Sequence, residues 1–321
     1  MIPVYFAPLE DVAGHFFRNL HNRMFPGADR YYAPFISTAG SLTKLKTREL
    51  TDISPENNSV KELIPQILTN DAGEFLNVAR LLYEKGYREI NLNLGCPGKD
   101  VVKRKRGSGF LTVPDRLDRF FEELFYGLDS SCLGDLRISV KTRTGYRDLS
   151  LSDKLIEIFN RYPISEITVH PRLGKDFYRG KPDMEAFGIF YQGIRHPLVY
   201  NGDLRTREDI EDIMKRYPGL SAVMAGRGMI ENLSLARECK GGEVASMSEI
   251  LAFTNELYLI YKNNLNAGIY AVNKLKELWG WIGECPYFSE NRRGIKAIFK
   301  SKNPVEYESA VRQLGNDLPS Y

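Results

Sequence analysis

The chain has 321 residues, 43% of them hydrophobic and 26% charged, and its 44 lysines and arginines against 41 aspartates and glutamates give a net charge of +3. That balance excludes a disordered chain, and the slight basic excess permits a polyanionic partner without demanding one. No apolar run is long enough to span a bilayer, and the first residues lack a basic leader ahead of Glu10 and Asp11, which argues against a signal peptide.

Short β-rich apolar runs recur at 4–7, 31–35, 63–68, 89–94, 137–141, 166–170, 197–201 and 222–225. Segments of helical periodicity separate them; within 72–85, Phe75, Val78, Ala79, Leu82 and Tyr83 share one face. Strand and helix alternate to about residue 235, and this count predicts an α/β fold, a closed (β/α)8 TIM barrel, over an open doubly wound sheet. Nearly every run finishes in polar or glycine-rich residues, which predicts one mouth lined from many sides, since strand C-termini build the site in such barrels. Beyond about residue 240 the alternation stops. The stretch 247–276 has no proline and carries Ile250, Leu251, Leu257, Leu259 and Ile260, and a second helical stretch, 290–299, follows Pro286. The chain therefore divides into a barrel domain over 1–240 and a small helical domain over 241–321.

Cys96, Cys132, Cys239 and Cys285 are scattered without a C-x-x-C pair, and the four histidines lack metal-ligand spacing. That pattern argues against a disulfide framework and a zinc site, and a reducing cytoplasm fits it.

The motifs at the strand ends each carry two readings. Gly226-Arg227-Gly228 after the strand at 222–225 is either a phosphate cradle, where glycines admit backbone N–H groups to an anion, or an ordinary strand-to-helix turn. Asn201-Gly202-Asp203 supplies another open turn one strand earlier. Lys141 and His170 end adjacent strands. They suit an electron-rich ring or phosphate in the mouth, or else a snorkelling lysine and a satisfied core histidine. Cys96, in Asn93-Leu94-Gly95-Cys96-Pro97-Gly98, is a small buried hydrophobe or a general acid at a loop entrance. Lys103-Arg104-Lys105-Arg106 follows as a solvated face or as a grip on a nucleic-acid backbone.

Taken together, Phe6-Ala7-Pro8-Leu9, Gln66, Asn93 to Pro97 with Gly107-Ser108-Gly109 and Leu111, Val140 to Gly145, Val169 to Arg172 with Tyr178-Arg179-Gly180, Asn201 to Asp203 and Gly226 to Gly228 resemble, in order, the signature of the tRNA-dihydrouridine synthases. Asp100 and Pro171 depart from it, standing where many members have lysine and glycine. The resemblance implies an FMN-dependent enzyme that uses NADPH to reduce the 5,6 double bond of a uracil in RNA, most often tRNA. Hydride would pass from flavin N5 to carbon 6, and Cys96 would protonate carbon 5. It further implies that Pro8, Leu9, Gln66, Lys141, His170, Asn201, Asp203, Gly226 and Arg227 hold FMN, with Asn93, Arg143 and Tyr178 at the uracil and its ribose. Lys103, Arg104, Lys105 and Arg106 of the loop and Arg292, Arg293, Lys296 and Lys300 of the tail are the expected RNA-backbone contacts, and no metal is expected. A flavin barrel acting on a free small molecule, of the dihydroorotate dehydrogenase or old-yellow-enzyme kind, would share the cradle and the lysine but need no RNA-binding tail. The same motifs would serve a dihydrouridine synthase of ribosomal RNA. A non-catalytic RNA-binding barrel would keep the fold, but intact Cys96, Lys141 and His170 speak against it.

Overall fold

Ten short parallel strands form one sheet in the computed structural model, which describes residues 2–38, 45–131, 133–265, 268–283, 288 and 291–316. They are β1 (Val4–Phe6), β2 (Arg30–Tyr32), β3 (Ile36–Ser37), β4 (Leu63–Ile64), β5 (Gln66–Leu68), β6 (Glu89–Leu94), β7 (Arg137–Gly145), β8 (Ile167–Leu173), β9 (Leu198–Asn201) and β10 (Ala222–Ala225). The run expected at 63–68 is not one strand: Pro65, with no N–H to give a ladder, parts β4 from β5. Likewise, Ala33-Pro34-Phe35 separates β2 from β3. Because β4 pairs with β2 while β5 pairs with β3 and β6, the broken strands join the two sides of the sheet and the ring closes. Counted around the ring, the eight expected strand positions are filled, and the fold is a TIM barrel.

The strand β7 runs beyond the expected residue 141, and its pairing with β8 shifts between Arg143 and Gly145. Such a bulge re-aims side chains, and here it lies at the mouth. Inside the ring, Tyr5, Ala7, Tyr32, Ile64, Val199, Ala222 and Met224 fill the floor. The polar strand ends above them are therefore supported by a packed layer, not a pore.

Outside the ring lie α1 (His15–Met24), α2 (Thr47–Asp52), α3 (Ala72–Glu84), α4 (Lys99–Lys103), α5 (Pro114–Asp129), α6 (Ser152–Arg161), α7 (Met184–Gly193), α8 (Arg207–Arg216), α9 (Arg227–Glu231) and α10 (Leu235–Cys239). Their starts are written locally. The Asp71 carboxylate accepts from the Glu74 N–H at 2.8 Å to cap α3, and Thr206 with Asp209 makes a capping box on α8. Helix α3 buries Ala72, Phe75, Val78, Ala79 and Leu82, the face expected from periodicity, with Tyr83 only half-buried.

The last segment is four helices, α11 (Met247–Asn264), α12 (Gly268–Ile282), α13 (Arg292–Lys300) and α14 (Pro304–Asn316). The helical stretch expected over 247–276 thus breaks after Asn264, and Leu259, expected among its apolar contacts, is 44% exposed. Ser246 and Glu249 start α11 with a second capping box, and Phe253 packs edge-on to Phe17 of α1 with centroids 5.4 Å apart. Trp279 of α12 donates to the Tyr307 hydroxyl of α14 at 3.1 Å. Aromatic packing thereby ties the helical part both to itself and to the barrel wall. No helix among the described residues is long and apolar enough to cross a membrane.

Candidate active site

A chain of amides builds the site from the floor upward. Asn91 donates to the Ser139 hydroxyl at 3.0 Å and accepts from Gln66 at 2.7 Å; the Gln66 oxygen accepts from Asn93, also at 2.7 Å. The Asn93 oxygen then accepts from the backbone N–H groups of Gly95 and Cys96 at 3.0 and 2.9 Å. Strand register makes this possible, since Gln66 lies opposite Asn91 and Asn91 opposite Ser139. Asn93, expected at the uracil, thus has its oxygen committed to the loop that carries the thiol. The loop closes back on Cys96, whose carbonyl accepts from both the N–H and hydroxyl of Ser108 at 3.0 Å. Gly107 turns there with φ of 53°, and a Cβ on it would meet the Cys96 carbonyl oxygen at 2.6 Å. Burial raises the Cys96 thiol above its ordinary pKa, with the Gly98 N–H opposing and the nearby Glu10 assisting. A thiol so placed holds its proton at neutral pH.

Cations dominate the opposite wall. Lys141 donates to the Asn201 oxygen at 2.6 Å, and burial, reinforced by Arg143, lowers its ammonium to a pKa of about 7. Arg143 is 1% exposed and spends its donors on the carbonyls of Gly95 and Leu173, each at 2.9 Å. Burial also lowers its pKa. Asp203 accepts from Arg172 at 3.0 and 2.6 Å and from Arg227 at 2.7 Å. Arg172 in turn reaches His170 Nε2 at 3.1 Å, and burial among these cations drives the His170 pKa well below its usual value. Tyr178, 55% exposed, lies beneath the guanidinium groups of Arg143 and Arg227 at 5.4 and 5.2 Å.

A cavity of about 430 Å³ gathers these groups. Every expected cofactor residue lines it, Pro8, Leu9, Gln66, Lys141, His170, Asn201, Asp203, Gly226 and Arg227, as do Cys96, Asn93, Arg143 and Tyr178. At its edge, a Cβ on Gly228 would stand 1.7 Å from the Leu204 carbonyl, so α9 can begin against that turn only with glycine. Glu10 and Trp281 also line the cavity and were not expected. Trp281 comes from α12, and nothing in its local sequence ties it to the barrel mouth. Arg172 was missed because it reads as one more strand residue in His170-Pro171-Arg172.

The two basic clusters sit differently. In the loop, Arg106 is 14% exposed, ion-paired with Glu74 at 3.1 Å and bonded to the Asn70 side chain and the Thr38 carbonyl. Lys103, Arg104 and Lys105 remain exposed, although Lys105 reaches the Thr112 hydroxyl at 3.1 Å. On α13, Arg292, Arg293, Lys296 and Lys300 are all exposed. Cys96 and Cys239 are free thiols; Cys132 and Cys285 lie outside the described residues. No cluster able to hold a metal occurs among the described residues.

Lys141, half-buried, and Arg143, buried, have no carboxylate partner among the described residues and suit an anionic ligand. In fold the chain is similar to morphinone reductase in complex with tetrahydroNAD, with a TM-score of 0.53 at 10% identity, covering 77% of this chain and 89% of that one. A model of the dihydrouridine synthase family matches residues 5–317, and the chain belongs to that family. It is similar to a probable tRNA-dihydrouridine synthase of Rhizobium leguminosarum, 28% identical over 234 residues, covering 70% of this chain and 68% of the relative. It is also similar to the tRNA-dihydrouridine synthase B of Vibrio parahaemolyticus, 24% identical over 314 residues, covering 94% and 92%.

Proposed function

We propose that this chain reduces the 5,6 double bond of a uridine in tRNA, with FMN as its bound carrier and NADPH as the reductant. The observation that carries the reading is a thiol and a surplus of cations on one cavity, in a chain of this family. FMN, when bound, supplies hydride to carbon 6 of the uracil. Gly226, Arg227 and Asn201 would hold it, and Lys141 would place a positive charge against it. Cys96 delivers its proton to carbon 5, a task that requires the thiol form favoured by burial. Arg143 and Tyr178 would border the uracil, which must leave its stack at a cost of about a few kcal/mol. The helical part, 241–321, and the exposed residues Lys103, Arg104 and Lys105 would meet the surrounding phosphates in the cytoplasm, where tRNA is modified.

The test is reconstitution. Purified protein is expected to be yellow and to release FMN, not FAD, on denaturation, since no Rossmann G-x-G-x-x-G serves a dinucleotide. With NADPH and unmodified tRNA it is expected to form dihydrouridine. A colourless protein that FMN cannot restore, or a yellow one inert on tRNA, overturns the reading.

A further inference from the structure

The structure holds two buried histidines that differ in one respect. His21 has both ring nitrogens partnered, Nδ1 with the Tyr31 hydroxyl at 2.9 Å and Nε2 with the Leu233 carbonyl at 3.0 Å. It is a satisfied core histidine. His170 is only 8% exposed, the Tyr178 ring lies 6.3 Å from its own, and the one hydrogen-bond partner its ring has among the described residues is Arg172, at 3.1 Å from Nε2. A guanidinium has five N–H groups and no acceptor, and it does not lose its proton in proteins. The hydrogen in this contact therefore belongs to Arg172, and His170 Nε2 is left bare to accept it. A neutral imidazole carries its proton on the remaining nitrogen.

We infer that Arg172 is a positioning residue that fixes His170 as the Nδ1–H tautomer, so that the ring presents a hydrogen-bond donor to the cavity. Nδ1 has no partner among the described residues, and His170 lines the cavity beside Lys141. The donor is thus free for an acceptor atom, a carbonyl oxygen or a bare ring nitrogen on a flat heterocycle. Arg172 is itself held from three sides, by both oxygens of Asp203 and by the Gly180 carbonyl at 2.6 Å. Asp203 also holds Arg227, so one carboxylate braces the tautomer-setting arginine and the arginine of the glycine turn together. Beside the Tyr178 phenol, the charged groups near the ring, Lys141, Arg143, Arg172 and Arg227, are cationic, and with Nε2 occupied they oppose a second proton. Asp203 acts through these arginines and does not need to touch the ligand. What acceptor the donor meets rests on the function proposed above; the tautomer itself does not.

The tautomer is read directly by nitrogen NMR of ligand-free protein labelled at histidine, with His170 assigned by the loss of its signals in His170→Asn. The expected pattern is a protonated Nδ1 and an unprotonated Nε2 for His170, unchanged across neutral pH. Arg172→Met removes the donor, and the ring is expected to move toward the Nε2–H form that imidazole side chains favour in water. Arg172→Lys, which can still donate, is expected to restore the wild-type pattern wholly or in part. A wild-type His170 with Nε2 protonated overturns the inference, even if neither variant folds. So does an Arg172→Met protein that folds and keeps Nδ1–H unchanged. Because neither flavin nor RNA is present, the result stands apart from whether the protein forms dihydrouridine.

Discussion

The two ends of the barrel both bury charge, and they do it in opposite ways. At the N-terminal ends of the strands, Glu62, Glu89 and Glu166 share Arg30 at 3.1, 3.4 and 3.6 Å, and Arg137 meets Glu89 at 3.1 Å. Tyr5 and Tyr32 donate to the two oxygens of Glu166 at 3.2 and 3.1 Å. Every member has a partner within the fold. At the C-terminal ends, Lys141, Arg143 and Arg227 line the cavity, Arg172 is bonded to His170 of its wall, and Asp203 is the one carboxylate bonded to any of these four cations among the described residues. A network that closes on itself serves stability; one left with net charge and open donors is built around a molecule yet to arrive.

Substitutions at the two ends should therefore break different properties. Cys96→Ala at the mouth should leave the fold and flavin binding intact while dihydrouridine formation falls about 10²–10⁴-fold, the usual share of a general acid. Product analysis of tRNA beside a flavin titration checks both halves, and wild-type turnover would return Cys96 to a packing role.

At the other end, burial raises Glu166 to a pKa of about 7 against an ordinary value of 4.5, with Glu89 adding to the rise and Arg30 opposing it. An acid whose folded pKa is raised binds its proton more tightly in the folded state, so stability is lost as pH climbs through that window. The loss is on the order of 3 kcal/mol by linkage. Urea unfolding between pH 5 and 8 should show that decline in the wild type and a flatter profile in Glu166→Gln, with flavin affinity the same in both. A Glu166→Gln protein that loses flavin would erase the distinction between the two ends.

Lys141 sharpens the comparison by pH. Its pKa of about 7 means the charge is partly lost in the free protein, and an anionic ligand must restore it. FMN affinity should accordingly fall as pH rises above about 7, by at most about tenfold per unit, with proton uptake on binding. Lys141→Met should bind about 10- to 100-fold more weakly, the worth of a charge-assisted hydrogen bond, and lose the pH slope. Fluorescence titration across pH decides it.

The smallest effect concerns RNA. Neutralising Arg292, Arg293, Lys296 and Lys300 should flatten the log–log salt dependence of tRNA binding by about 0.7–0.9 for each phosphate released, and so should changing Lys103 with Lys105. Arg106→Gln should instead lower stability, because its ion pair with Glu74 pins the loop. Salt series on the three variants separate a grip on phosphate from a brace.

The strand order and the mouth were legible because they are local: an apolar run ending in Asn, Lys, His or Gly announces a barrel strand and the side its site lies on. The break at Pro65 was not expected within the run 63–68, and only pairing on both sides of it reveals that the interruption closes the ring. Charge was read less well. Within Lys103-Arg104-Lys105-Arg106 nothing distinguishes Arg106, and what turns it inward is Glu74, over thirty residues away on α3. Arg172, Glu166 and Trp281 escaped for the same reason, since each acquires its role from partners far along the chain. Of the two buried histidines the satisfied core one is His21, and nothing in its local sequence sets it apart, since its partners Tyr31 and Leu233 lie on other elements.

The closed base of the Cys96 loop has a consequence for how such a chain can vary. The thiol's place is set on one side by Asn93, at the end of an amide row rooted in the barrel floor, and on the other by Ser108, which clasps the Cys96 carbonyl. Everything between, residues 98–106, is an excursion that leaves and returns at a fixed stem. The charge on its exposed residues Lys103, Arg104 and Lys105 can be rewritten while Cys96 stays at the same depth above the floor, whereas Gly98 at the thiol and Arg106 on Glu74 brace the loop itself. Change in the outer charge of the loop and constancy in the depth of the thiol can thus be inherited separately.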